Sequence, residues 1–200
     1  MKTAIAGTVL TVLSLSLPVV AATTTRYQVK GQNASAYFYQ SDECTSTSVS
    51  VYAFTSRTKD GPGTPTQQMG ADLYYSVYNF CNGTSSSGYG SSPNATFTIN
   101  NSLSSATLTG TFAVNDYTSS NPKTVEVNLT WTGIDVIFKG RSNSVYQTPY
   151  SVTRYRSNGE SRDAQVSGSI ILDNVNLAAN ASAYGSLYSS SSGTYERITK

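Results

Sequence analysis

The sequence predicts an all-β protein: an antiparallel β-sandwich, jelly-roll-like, of about ten short strands with one disulfide. Three observations carry that expectation. Apolar residues recur with period two rather than 3.6 in run after run. Gly, Ser and Asn punctuate those runs at the intervals expected of turns. Two cysteines sit where they would close the open end of a single hairpin. No window offers an apolar stripe at helical spacing.

Taken in order, Tyr27 and Val29 mark a first strand and Ala34, Ala36 and Phe38 a second. Val49, Val51 and Ala53 mark a third, entered from Cys44, and Leu73, Tyr75 and Val77 a fourth, leaving at Cys81. A strand rising from one cysteine and a strand falling to the other bring both to one end, opposite the turn Asp60-Gly61-Pro62-Gly63. An oxidising compartment would join Cys44 to Cys81, and a loop of this size is worth about 4 kcal/mol in the chain-entropy model. Pairing the cysteines directly would set Val49 against Ser76 and put core residues on opposite faces. A one-residue irregularity beside a cysteine is therefore expected.

The Ser/Gly-rich stretch from Gly83 to Ser92 reads as a mobile loop. Ala95, Phe97 and Ile99 suggest a further strand. The sharpest pattern is the pair of runs Ala106–Val114 and Thr124–Thr132, a hairpin with one buried face. Its register is expected to set Val114 against Val125 and Leu108 against Trp131. Past Trp131 the apolar phase moves to Ile134, Val136 and Phe138, which asks for a bulge at Thr132-Gly133 or for a new strand. Val166, Gly168 and Ile170, then Ala183, Gly185 and Leu187, mark later strands. The serines 189–192 with Gly193 are expected to turn the chain into a last strand ending near Ile198.

Residues 1–22 have the form of a secretory signal: Lys2, a short apolar run from Ala4 to Leu17, Pro18, and the small residues Val20-Ala21-Ala22. A bilayer span needs about 20 predominantly apolar residues, and this run is shorter. The expected mature chain, residues 23–200, is then a single β-sandwich domain with no membrane span. It is secreted: extracellular, periplasmic or at a cell surface.

Composition narrows the chemistry. There are 13 Lys+Arg against 11 Asp+Glu, a net charge of +2, and no His. The missing His removes His-dependent triads, proton shuttles and the usual zinc sites. The near-neutral balance removes the basic footprint of a nucleic-acid binder. With no glycine-rich phosphate loop, CxxC pair or alternating-Asp loop, no cofactor and no metal are expected.

Four groups of side chains remain. Carboxylates at Asp72, Glu126 and Glu196 fall in predicted strands, and a glycoside hydrolase would need two of them across a groove. Tyrosines pair on strand faces as Tyr37 with Tyr39, Tyr74 with Tyr78, and Tyr184 with Tyr188. Such rings can stack on sugars, although Tyr also simply suits a half-buried strand surface. The segment 139–163 interleaves Arg141, Tyr146, Tyr150, Arg154, Tyr155, Arg156 and Arg162, opposed by Glu160 and Asp163. As a strand it would project Arg154 and Arg156 from one face, fit for a sulfated or acidic polysaccharide. As a solvated hairpin its arginines would pair locally. Finally, Asn33, Asn82, Asn94, Asn100, Asn128 and Asn180 fit the N-x-S/T pattern for glycosylation.

The Tyr-, Ser-, Thr- and Gly-rich composition resembles that of the small secreted jelly-roll xylanases. Those enzymes use many Trp and two Glu in aromatic strand motifs. This chain has one Trp, and Glu126 stands in Thr124-Val125-Glu126-Val127-Asn128, so their activity does not carry over. The expected role is a non-catalytic module binding glycan or extracellular matrix material, with Tyr74, Tyr78, Tyr146, Tyr150, Arg154, Tyr155 and Arg156 as candidate ligand-binding residues. The alternatives are a carboxylate-dependent glycoside hydrolase and a structural cell-surface protein.

Overall fold

The structure, a computed structural model, describes residues 22–119 and 121–198. The expected signal segment, Ala22 apart, lies outside the described residues. The alternating runs become eleven strands: β1 (Thr23–Ser41), β2 (Thr45–Asp60), β3 (Thr66–Asn79), β4 (Thr84–Ser92), β5 (Thr96–Ile99), β6 (Ser105–Asp116), β7 (Lys123–Gly133), β8 (Phe138–Gln147), β9 (Ser151–Leu172), β10 (Val175–Asn176) and β11 (Ser182–Ile198). Every pairing is antiparallel, there is no helix among the described residues, and one disulfide joins Cys44 to Cys81.

The ladder closes on itself. Following the hydrogen-bonded neighbours gives β1–β2–β3–β4–β6–β7–β9–β11 and back to β1, a ring of eight strands. The layers of the expected sandwich are thus opposed parts of one continuous sheet. Trp131 on β7 shows the opposition, since its indole Nε1 crosses the core to donate to the Ser35 carbonyl of β1 at 2.7 Å. A ring of eight strands leaves an interior that side chains alone can fill. Trp131, Tyr75, Phe112, Leu73, Leu103 and Leu108 are its largest fully buried members.

Register follows from burying one face. In the β6–β7 hairpin Phe112 pairs with Val125 and Ala106 with Trp131, two residues from the expected register. A two-residue shift keeps every side chain on its face, so alternation alone could not separate the two. Beyond β7 the chain breaks over residues 134–137 and a new strand begins, with Ile134, Val136 and Phe138 exposed. In the β2–β3 hairpin Val49 meets Tyr75 and Val51 meets Leu73, the register displaced by one from direct cysteine pairing. Cys44 and Cys81 accordingly sit just outside the strands, where Asp42 and Asn79 accept backbone N–H bonds that shape the two ends.

Three expectations are corrected. The two strands expected over residues 27–38 are one, β1; the serines 189–192 run through β11 rather than turning; and Gly83–Ser92 is not a loop but mostly strand β4. In the last case glycine enables packing instead of flexibility. A Cβ at Gly88 would lie 2.9 Å from Tyr75 Cε1, and one at Gly90 2.6 Å from the Ala113 carbonyl oxygen. Only glycine lets β4 pass this close to the buried Tyr75 and to β6.

Five strands outrun the core. Residues 23–33 of β1, 54–60 of β2, 66–69 of β3, 151–163 of β9, 188–198 of β11 and all of β8 form a six-stranded extension in the order β8-β9-β11-β1-β2-β3. None of these residues is buried on either face. Polar Ser, Thr, Gln and Arg side chains leave both surfaces content in water, and charged Lys139 and Arg141 blunt the outer edge.

Two stability outcomes follow. Trp131→Ala removes the largest buried side chain and its hydrogen bond, and should cost about 3–5 kcal/mol in urea unfolding. Replacing Cys44 and Cys81 together by Ala should cost about 2–5 kcal/mol, with unchanged far-ultraviolet circular dichroism below the transition.

Candidate functional site

Period two sorts side chains between the inside and outside of the ring. On the inside go Ala, Val, Leu and Phe; on the outer face of the ring and of the extension that continues it go eleven of the fifteen tyrosines, at 27, 37, 39, 52, 74, 78, 89, 146, 155, 184 and 188. Composition is thus explained by placement: tyrosine here is mostly a surface residue of strands.

The tyrosines converge in one place. Register aligns Tyr184, Tyr37, Ser50, Tyr74 and Tyr89 in a single row across β11, β1, β2, β3 and β4. At the usual strand spacing that row spans roughly 19 Å. The next row contains Ser186, Ser35, Tyr52 and Asp72. Where serines fall between tyrosines the surface sinks, giving a trough of about 490 Å³ lined by Tyr37, Tyr52, Tyr74, Tyr89 and Tyr184 over Ser35, Ser50 and Ser186. Ser35 and Ser186 hydroxyls lie 2.8 Å apart in its floor. The five tyrosines are 41–67% exposed, and the Tyr52 ring stacks on Phe54 with their centroids 6.0 Å apart.

Asp72 organises the polar end. The Tyr89 hydroxyl donates to Asp72 Oδ1 at 2.8 Å, and this bond chiefly raises the Tyr89 pKa above 10. The Tyr52 phenol is raised too, by burial first and the Asp72 charge second. Both phenols are therefore protonated donors at neutral pH beside one acceptor carboxylate. Such a site can stack on flat apolar faces and exchange hydrogen bonds with hydroxyls.

Of the sequence-predicted residues, Tyr74 lies in the trough. Tyr78 shares its face four residues on, its ring centroid 6.0 Å from that of Phe80. The arginine–tyrosine segment divides. Arg154 and Arg156 project from the inner face of the extension, Tyr146 and Tyr155 from the outer, and Tyr150 sits in the turn between β8 and β9. Alternation forbids neighbours in sequence from sharing a face, so this set is not one site. Tyr52 and Tyr89 were not singled out from sequence; Tyr52 lies out of phase within the apolar run 49–53, and Tyr89 between two glycines.

The carboxylates are spread. Asp72 is the one acidic residue lining the trough, and Glu160 the one lining a second concavity on the extension. Among the described residues no group of three or more His, Cys, Asp or Glu could hold a metal. The buried carboxylate is Asp116, at the end of β6. It accepts from the Thr118 hydroxyl at 2.6 Å and backbone N–H at 2.8 Å, from the Tyr75 hydroxyl at 3.1 Å, and from the Ser86 hydroxyl at 3.4 Å. Lys123 Nζ lies 3.0 Å from Asp116 and 3.1 Å from Asp173, bridging them. These donors, the Thr118 hydroxyl foremost, hold Asp116 far below the ordinary carboxylate range. Through these partners the carboxylate ties the end of β6 to Tyr75 on β3, Ser86 on β4 and Lys123 on β7.

The sign of its pH effect is fixed. A carboxylate depressed in the folded state stabilises above its unfolded pKa of about 3.9, and that contribution fades as pH falls toward the folded value. The urea midpoint should therefore drop between pH 5 and pH 2. Asp116→Asn should lower the midpoint at pH 7 and show a smaller drop across that window.

No family model and no curated protein matches the chain. Among solved structures it is similar to the crystal structure of a "putative AttH" from Nitrosomonas europaea, with 10% identity and a TM-score of 0.33 over 86% of this chain. The chain spans about half, 51%, of that structure's length.

Proposed function

We propose that the chain is a secreted, non-catalytic module that binds glycan in the tyrosine trough. The observation that carries this reading is the row Tyr184–Tyr37–Ser50–Tyr74–Tyr89 over its serine floor. Aromatic rings at intervals along a shallow channel suit the apolar faces of successive sugars, and Asp72 with the tyrosine hydroxyls suits their hydroxyl groups. The floor of Ser35, Ser50 and Ser186 adds further donors and acceptors without filling the channel. The disulfide supports an oxidising, extracytoplasmic compartment.

Tyrosines scattered singly over the ring would need nothing beyond their preference for strands. Five around one depression ask for more. A screen of neutral and acidic oligosaccharides by retention and isothermal calorimetry should find a ligand at millimolar affinity or better. Against that ligand, Tyr37→Ala and Tyr74→Ala should each weaken binding about three- to tenfold, the equivalent of about 0.5–1.5 kcal/mol per aromatic contact. Tyr146→Ala, far along the extension, should leave it unchanged. Absence of any retained glycan at millimolar concentration refutes the assignment.

A further inference from the structure

The near-neutral net charge hides a segregation that only the register reveals. Eleven Lys and Arg lie among the described residues, and ten of them point to one face of the six-stranded extension, the face continuous with the inside of the ring. They are Arg26 and Lys30 on β1, Arg57 and Lys59 on β2, Lys139 and Arg141 on β8, Arg154, Arg156 and Arg162 on β9, and Arg197 on β11. The eleventh, Lys123, is held by Asp116 and Asp173. On that same face Glu160 is the sole carboxylate, and it pairs with Lys139 at 3.0 Å. Asp60, Asp163 and Glu196 point the other way.

The cations are arranged about a furrow. Register places Gly193, Ser191 and Ser189 of β11 along the middle of the face. In the Gly193 row Arg156 stands on one side and Lys59, beyond Gln28, on the other. Moving to the Ser191 row, Arg141 flanks beyond Asn158, and Lys30 and Arg57 flank opposite. Arg154 and Arg26 face each other across Tyr195, whose ring lies 5.6 Å under the Arg26 guanidinium and closes one end. At the other end the furrow opens into a concavity of about 540 Å³ walled by Asn101 and lined by Lys30, Arg57, Glu160 and the serines. Gln32 Nε2 reaches Asn101 Oδ1 at 3.4 Å there. From Ser189 to Gly193 the furrow floor runs about 13 Å.

We propose that this face binds a linear anionic polysaccharide, sulfated or uronate, laid along β11 between the two banks of cations. Like charges gathered at strand spacing repel one another, and a polyanion relieves that repulsion while guanidinium groups meet sulfate or carboxylate through paired hydrogen bonds. The ground between the cations is Gln28, Gln32, Asn143, Asn158, Ser189 and Ser191, which matches sugar hydroxyls. The only aromatic ring on this face is Tyr195, already covered by Arg26, so unpaired nucleic-acid bases would find no stacking platform. The proposal does not rest on the tyrosine trough, which occupies the opposite surface of the sheet.

The test measures heparin and polygalacturonate affinity of the full chain by calorimetry at several salt concentrations. Both log K and its salt slope should fall in Lys30→Gln/Arg57→Gln/Arg154→Gln/Arg156→Gln, with at least a tenfold loss at 150 mM salt. Ser191→Trp keeps every charge but fills the furrow, and should also lose about tenfold. An unchanged urea midpoint for each variant verifies folding, and Tyr146→Ala, on the outer face of the extension, should bind heparin as the parent does. The proposal is overturned if neither polyanion binds at 150 mM salt, or if Ser191→Trp binds them undiminished. Tighter binding of a single-stranded oligonucleotide or of phosphatidylserine vesicles than of heparin at matched charge overturns it as well.

Discussion

Seventeen consecutive antiparallel pairs between β1 and β11, from Thr23 opposite Ile198 to Tyr39 opposite Ser182, bind the first strand of the sheet to the last. Everything else depends on that seam. At one end of it, with β9 joining β7, the ring closes over Trp131, Tyr75 and Phe112. At its other end the same strands continue without a core. Within the ring, closure removes the free edges that would otherwise recruit another chain, while the extension keeps an outer edge at β8. It also fixes which side of each strand is inside, because a one-residue slip anywhere in the ring would expel a whole apolar set.

That single inside–outside assignment distributes chemistry across the molecule. Within the closed part the inner side chains are mostly apolar, Asp116 being a buried exception, and the outer ones include the tyrosines of the trough. In the extension the inner set switches to Arg and Lys while the outer set keeps tyrosine. One strand illustrates it: β1 reads Arg26, Lys30, Gln32, Ala34, Ala36 and Phe38 on one side, and Tyr27, Ser35, Tyr37 and Tyr39 on the other. Alternation is conserved along the strand, and only the solvent around it changes. The two proposed binding surfaces are thus consequences of one register seen from opposite sides.

Much of this was legible beforehand. Period-two runs announced the all-β class, and the cysteine spacing announced the disulfide and the irregular strand ends beside it. Alternation also anticipated that Arg154 and Arg156 share a face. What misled was punctuation. Ser189–Ser192 and Gly83–Ser92 look like turns because Ser and Gly favour them, yet the first and all but Gly83 of the second lie in paired strands. In β4 the glycines answer a steric demand from Tyr75 and β6 that lies far away in sequence, and no local rule contains that demand.

By itself, then, the sequence determined the class, the faces of individual strands, the disulfide and the absence of imidazole chemistry, since these depend on spacing within a few residues and on composition. Tertiary structure alone decided which faces adjoin. Tyr37, Tyr74, Tyr89 and Tyr184 are separated by as many as 147 residues and become one row. Ten cations dispersed from Arg26 to Arg197 become one surface while the total charge stays at +2. Strand order and register are set by closing the whole ring around a shared core, and that global constraint leaves no mark within any single strand.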